Sequence, residues 1–180
     1  MPVTATDIQF FLSGGATNAD PNASLGGAIS NTAITSGSLN NLFDDVSGAE
    51  ASAGRTEYRC LYVKNASPTS NLVANITAWV EGATATSNTV ASGAVIDIGF
   101  NPTVGVGDGT TTGVASTVAN ETTAPTGVTF SSATQGAPLS LPAPINAGQV
   151  LAIWIRRTVP AGASAANDSA TLMVKGDSGP

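Results

Sequence analysis

The sequence has no histidine and one cysteine, Cys60. Without histidine, a single chain can build neither a Ser-His-Asp or Cys-His nucleophile nor an imidazole metal site. One cysteine excludes an internal disulfide and a thiolate cluster; its place in an apolar run reads as a buried structural thiol. Charge is scarce as well. Only 10% of residues are charged, against about 25% in ordinary globular domains. Six basic residues against twelve acidic ones leave a formal net charge of −6, and only Arg156 and Arg157 are adjacent. Binding a phosphate backbone requires clustered Lys and Arg, so nucleic acid is not an expected partner. The adjacent arginines read as a solvated strand edge. No apolar segment approaches the roughly 18 residues that span a bilayer, and MPVTATDIQFFLSGG has no basic region before its short apolar run. Neither a membrane partner nor a secretory signal is expected.

Other chemistry-bearing patterns are weak. Gly105-Val106-Gly107-Asp108-Gly109 lacks both dinucleotide-fingerprint spacing and a phosphate-loop GK[ST] ending, and reads as a flexible turn. Asp44 and Asp45 are neighbours, but adjacent strand residues point to opposite faces, so they form no facing pair for glycoside hydrolysis. Asp20, Asp44, Asp45, Glu50, Asp108 and Asp168 are possible oxygen ligands, without the spacing of a calcium loop. Asn-x-Ser/Thr triplets start at Asn22, Asn65, Asn75, Asn120 and Asn167, as expected by chance in a chain rich in these residues. The expectation is a protein that is not an enzyme, with no catalytic, cofactor-binding or metal residues and no cofactor.

What is present is a series of short strand patterns. The clearest is AGQVLAIWIRRTVPAGA at 147–163: Val150, Ala152 and Trp154 point one way in an extended strand, and Leu151, Ile153 and Ile155 the other. Apolar on both faces, this strand calls for a second sheet on one side and a loop or neighbouring subunit on the other. EYRCLYVKN at 57–65 is rich in aromatic and β-branched residues, with Tyr58, Cys60 and Tyr62 on one face and Leu61 and Val63 on the other. From Leu72 to Glu81 the inward residues are Leu72, Ala74, Ile76, Ala78 and Val80. Trp79 lies on the outer face, either as an exposed contact residue or under a loop of its own chain. Ile8 to Leu12, Ala94 to Phe100, Val128 to Phe130, Leu139 to Leu141 and Ala170 to Lys175 complete the strands, with GDSGP as a surface end. Residues 13–40 read as a Gly/Ala/Asn-rich arm, 41–46 as a strand or turn, and the segment after Pro102 as a projecting hairpin or intersubunit arm. Glu50 to Gly54 is helix-compatible but too short to stand alone.

Many short strands without a convincing helix predict an all-β, antiparallel β-sandwich, immunoglobulin-like or jelly-roll, with a long N-terminal arm. Residues 1–56 would hold the first strand and the arm, and 57–180 the sandwich core, as one domain overall.

EYRCLYVKN at 57–65, LVANITAWV at 72–80 and AGQVLAIWIRRTVPAGASAANDSATLMVKGD at 147–177, with TDIQFFLSGG at 6–15, are similar to tailed-bacteriophage virion structural proteins. Together these segments cover under half of the chain but are spread from end to end. Their order also resembles immunoglobulin-like modules, whose core strands would be the VKN strand, the AGQ strand and the last strand; the second cysteine of antibody domains is missing. The resemblance implies a capsid decoration, or cement, protein. Its partners would be the major capsid protein and copies of itself in a homo-oligomer such as a trimer. It would reside in the virion after synthesis in the host bacterial cytoplasm. Alternatives of the same kind are a tail, neck or baseplate/fibre-associated component. A carbohydrate-binding module at the host surface is a weaker one, resting on Trp79.

Overall fold

The computed structural model describes residues 2–163 and 168–179. Ten strands follow in order: β1 (Ile8–Ser13), β2 (Ile29–Ala33), β3 (Arg55–Asn65), β4 (Asn71–Glu81), β5 (Val95–Phe100), β6 (Val106–Gly107), β7 (Thr129–Ser131), β8 (Leu139–Ser140), β9 (Val150–Val159) and β10 (Thr171–Gly179). One short helix, α1 (Gly48–Ala53), precedes β3. The larger sheet runs β2-β1-β3-β9-β5-β7, with β6 also on β9, and the smaller runs β10-β4-β8. Every ladder is antiparallel. The protein is an all-β antiparallel sandwich, as its strand patterns predict.

At its centre β3 and β9 pair without interruption from Arg55 opposite Val159 to Lys64 opposite Val150. Period-2 alternation sends Leu61, Val63, Leu151, Ile153 and Ile155 to one face, where they pack with Leu72, Ile76, Ala78 and Val80 of β4. Cys60, Tyr62, Val150, Ala152 and Trp154 go to the other face, where they pack with Leu25, Ala115 and Val118 of the connecting segments and with Ile29 of β2 and Phe130 of β7. The expected cover on both faces is therefore supplied by the second sheet and by loops of the same chain.

These loops carry a backbone that must find hydrogen-bond partners. Tyr62 supplies two, donating its hydroxyl to the Gly27 carbonyl at 2.6 Å and accepting from the Ala115 amide at 3.0 Å. Beyond the end of β1, the edge of β3 is completed by loop carbonyls: Ser24 accepts from the Cys60 amide at 2.8 Å and Glu121 from the Tyr58 amide at 2.7 Å. The two loops meet at Gly26, whose φ is +90°; a Cβ there would lie 2.0 Å from the Ser116 carbonyl oxygen. Only glycine permits that approach.

Several local expectations are corrected. The segment after Pro102 does not project but packs onto the larger sheet, burying Ala115 and Val118. Gly105 to Gly109 is no flexible turn. It holds β6, and a Cβ on Gly107 would sit 2.3 Å from the Thr112 backbone. α1 forms because Ser47 and Glu50 close a capping box at its start. The last strand runs on through the supposed surface end to Gly179, and it is an edge strand of the smaller sheet rather than a core strand. Residues 41–46 form no strand: 41–43 are bends and 44–46 have no regular structure.

Cys60 is fully buried, and burial, only partly offset by a hydrogen bond with Ser13, pushes its thiol up to about 12. It is expected to resist alkylation in the native protein and to react at once in denaturant, as mass spectrometry would show; rapid native labelling would contradict its burial. Ile153 is fully buried at the centre of the core. Ile153→Ala is expected to cost about 2–5 kcal/mol of stability, measured by urea unfolding.

Candidate functional site

The densest gathering of chemically able side chains lies at one end of the β3–β9 pair. In RTEYR at 55–59 the period of two puts Arg55, Glu57 and Arg59 on the core side, the face that Leu61 and Val63 continue. Register places Arg157 of β9 opposite Glu57. Arg157 donates from Nε and Nη2 to Glu57 Oε2 at 2.8 and 2.5 Å, and Arg55 Nε donates to Glu57 Oε1 at 2.7 Å. Glu57 and Arg59 are 1% and 0% exposed, positions that charged residues occupy only when paired.

Four other segments complete the cluster. Glu121, from the loop that crosses the edge of β3, accepts from Arg59 at 2.6 Å and pairs with Arg55. Glu50 of α1 pairs with Arg55 at 2.9 Å. The turn before α1 brings Asp44, whose backbone carbonyl accepts from Arg157 at 2.8 Å, and Phe43, whose ring lies 4.6 Å from the Arg157 guanidinium and 5.4 Å from that of Arg59. Arg59 also donates to Asn22 at 3.0 Å.

Carboxylate oxygens of Asp44, Glu57 and Glu121 lie within 4.8 Å of one another, close enough for shared ligation. Each is already met by guanidinium: Glu57 by Arg55 and Arg157, Glu121 by Arg55 and Arg59, Asp44 by Arg157 at 3.5 Å and Arg59 at 3.8 Å. Three fixed positive charges among these carboxylates repel an incoming cation, so the arrangement serves as an internal ion-pair network. Burial tends to raise Glu121, but the hydrogen bonds and charges of Arg59 and Arg55 outweigh it and hold the carboxyl below its ordinary value of 4.5.

A second network sits on the opposite face. Arg156 clamps Asp97 through Nε and Nη2 at 3.1 and 2.6 Å. Asp97 also accepts from Ser132 at 2.7 Å and Asn88 at 3.0 Å, and the Arg156 guanidinium lies 4.9 Å from the Phe130 ring. The expected solvated edge at Arg156 and Arg157 is thus corrected: both are mid-ladder and ion-paired.

The other singled-out residues are scattered. Trp79 is 8% exposed and its indole donates to Glu81 at 3.0 Å, which settles it as a covered residue. Asp20 caps the turn at Pro21–Ala23 and Asp45 is exposed. Asp168 accepts from the Ser92 amide at 3.0 Å. Asp108 accepts from the backbone amides of Thr110, Thr111 and Thr112 and from the Thr111 hydroxyl; these bonds, that hydroxyl first, hold its carboxyl far below the usual range. Asn65 is buried and donates to the carbonyls of Ser70 and Ile145, Asn75 donates to Asp177, and Asn120 caps Thr122 and Thr123. Asn167 lies outside the described residues. Glu57, Arg59 and Glu121 went unmarked in the sequence, although the R-x-E-x-R alternation at 55–59 signals one charged face.

No helix among the described residues is long and apolar enough to cross a membrane. The fold is an all-β sandwich whose densest polar cluster is an internal ion-pair network. No protein-family description, curated protein or solved structure matches the chain.

Glu57→Gln leaves Arg157 without its buried counter-charge and is expected to cost about 3–5 kcal/mol, read from urea midpoints. Because Glu121 is lowered in the folded chain, its contribution is complete above the ordinary carboxylate range and is lost as pH falls through the lowered value. The destabilisation by Glu121→Gln should therefore be largest near neutral pH and shrink below about pH 4. A pH-independent difference would contradict the pairing.

Proposed function

We propose that the protein is a structural, non-enzymatic component of a tailed-phage virion, acting as a capsid decoration protein that binds the major capsid protein and bridges neighbouring subunits of the shell. The observation that carries this reading is where the charge is spent. All four arginines are engaged in internal ion pairs, so Lys175 is the one exposed basic residue among the described residues and the rest of the surface carries mainly small neutral residues and dispersed carboxylates. Across the outside of the loop layer, Ser116, Thr117, Ala119, Asn120, Thr122, Thr123, Ala124 and Thr126 are exposed. A surface of this kind can be covered by a neighbour without stripping water from many charges.

Cementing on this reading is contact burial repeated over a lattice. At roughly 25 cal/mol per Å² of apolar area, a few hundred Å² at each of many sites strengthens the shell after the costs of ordering are deducted. The segments similar to virion proteins fall on β1, β3, β4, β9 and β10, so the resemblance follows the sandwich itself.

A tail, neck or baseplate/fibre-associated position uses the same surface chemistry and differs in copy number. The glycan-binding alternative rested on an exposed Trp79, and that support is withdrawn by its burial. Electron cryomicroscopy of intact particles, with quantitative mass spectrometry of the virion, decides between the positions. Decoration requires copies distributed over the whole shell; a few copies confined to one vertex or to the tail would sink it.

A further inference from the structure

The smaller sheet ends on β10, whose outer edge has no backbone partner among the described residues; its ladder runs to β4 alone. A strand of nine residues with an open edge is a template for another strand. Three observations coincide there. Lys175 is the one basic residue that has neither an ion pair nor a ring contact among the described residues: the four arginines are paired, and Lys64 stacks on Phe11 at 5.5 Å. Asp177, the next residue on the same side of the strand across Gly176, is exposed like Lys175. A groove of about 160 Å³, walled by Val3, Ile8, Leu72 and Val174, opens beside Lys175 and Gly176.

We propose that β10 pairs with β10 of a second copy, antiparallel about a two-fold axis through Gly176, joining two small sheets into one continuous sheet. In this register Lys175 lies opposite Asp177 of the second copy, Asp177 opposite its Lys175, and Val174 opposite its Ser178. Directly opposed unlike charges stabilise an antiparallel pair, and a two-fold interface repeats the contact, as isologous association requires. Lys-Gly-Asp is self-complementary in this direction, and glycine leaves no side chain on the axis. Asp177 already accepts from Asn75 at 2.6 Å; a carboxylate has room for the lysine as well.

Edge strands also carry lysine and bulges as a guard against pairing. Here the bulges lie elsewhere. The register shifts beside Lys175, Asp177 and Ser178 place the extra residues on β4, where Asn75 has a φ of +49°, and β10 itself runs as unbroken strand to Gly179. The pairing goes beyond the virion reading and does not rest on it.

Sedimentation equilibrium of the full chain at low salt is the test, with circular dichroism to verify the fold of each variant. The wild-type protein is expected to form a concentration-dependent dimer. Lys175→Asp turns two symmetric attractions into repulsions and should weaken self-association about tenfold or more. The double variant Lys175→Asp with Asp177→Lys restores opposite charges across the axis and should recover dimerisation. A wild-type monomer at high micromolar concentration, a trimer, a dimer indifferent to Lys175→Asp, or a folded double variant no better than the single one would each overturn the pairing.

Discussion

Everything in this fold follows from β3 and β9 being apolar on both faces. A strand pair of that kind has no side to turn to water, so it needs a layer above and a layer below. One layer is the β10-β4-β8 sheet. The other is built from connecting segments, which normally avoid burial because their backbone polar groups lose water. Here they can lie down because the larger sheet offers partners: the Tyr62 hydroxyl serves both loops, and the free edge of β3 takes carbonyls from Ser24 and Glu121. The abundance of Gly, Ala, Ser and Thr in these segments follows, since small side chains let backbone approach the sheet closely.

The scarce positive charge is used in the same way. Arg55, Arg59 and Arg157 gather Asp44, Glu50, Glu57 and Glu121 from the turn before α1, from α1, from β3 and from the loop over its edge. Such a network contributes little net stability compared with apolar packing of the same volume, but removing one member strands the others without counter-charges. Its effect is positional, fixing where α1, the turn before it and the loop carrying Glu121 meet the strands. That leaves the surface nearly free of cations and gives the proposed contacts their neutral character.

Much of the sandwich was legible because its longest strands announce themselves through alternation: β3, β4 and β9 can be read from YRCLYV, LVANITAWV and VLAIWI. β2 and β6 were not legible, since Ile29–Ala33 and Val106–Gly107 carry too few apolar residues and become strands only through neighbours distant in sequence. α1 had a signal in Ser47 and Glu50, outweighed by its shortness. The covered state of Trp79 was undecidable from a pattern that specifies a face but not what lies over it. The ion-pair cluster was half visible: R-x-E-x-R marks a charged face on β3, but nothing local says that Glu121 and Arg157 will arrive there.

The pairing order has a consequence for how the chain is made. Glu57 and Arg157 lie opposite each other yet are separated by 100 residues, and β4 waits for β10 over a similar span. During synthesis the two-faced apolar strand β3 leaves the ribosome long before the strand that completes it. Contacts of such long range slow folding, and unpaired apolar strands invite association in the interval. The nascent chain therefore spends a large part of its synthesis with its most adhesive element uncovered, and its yield depends on how quickly β9 closes that gap.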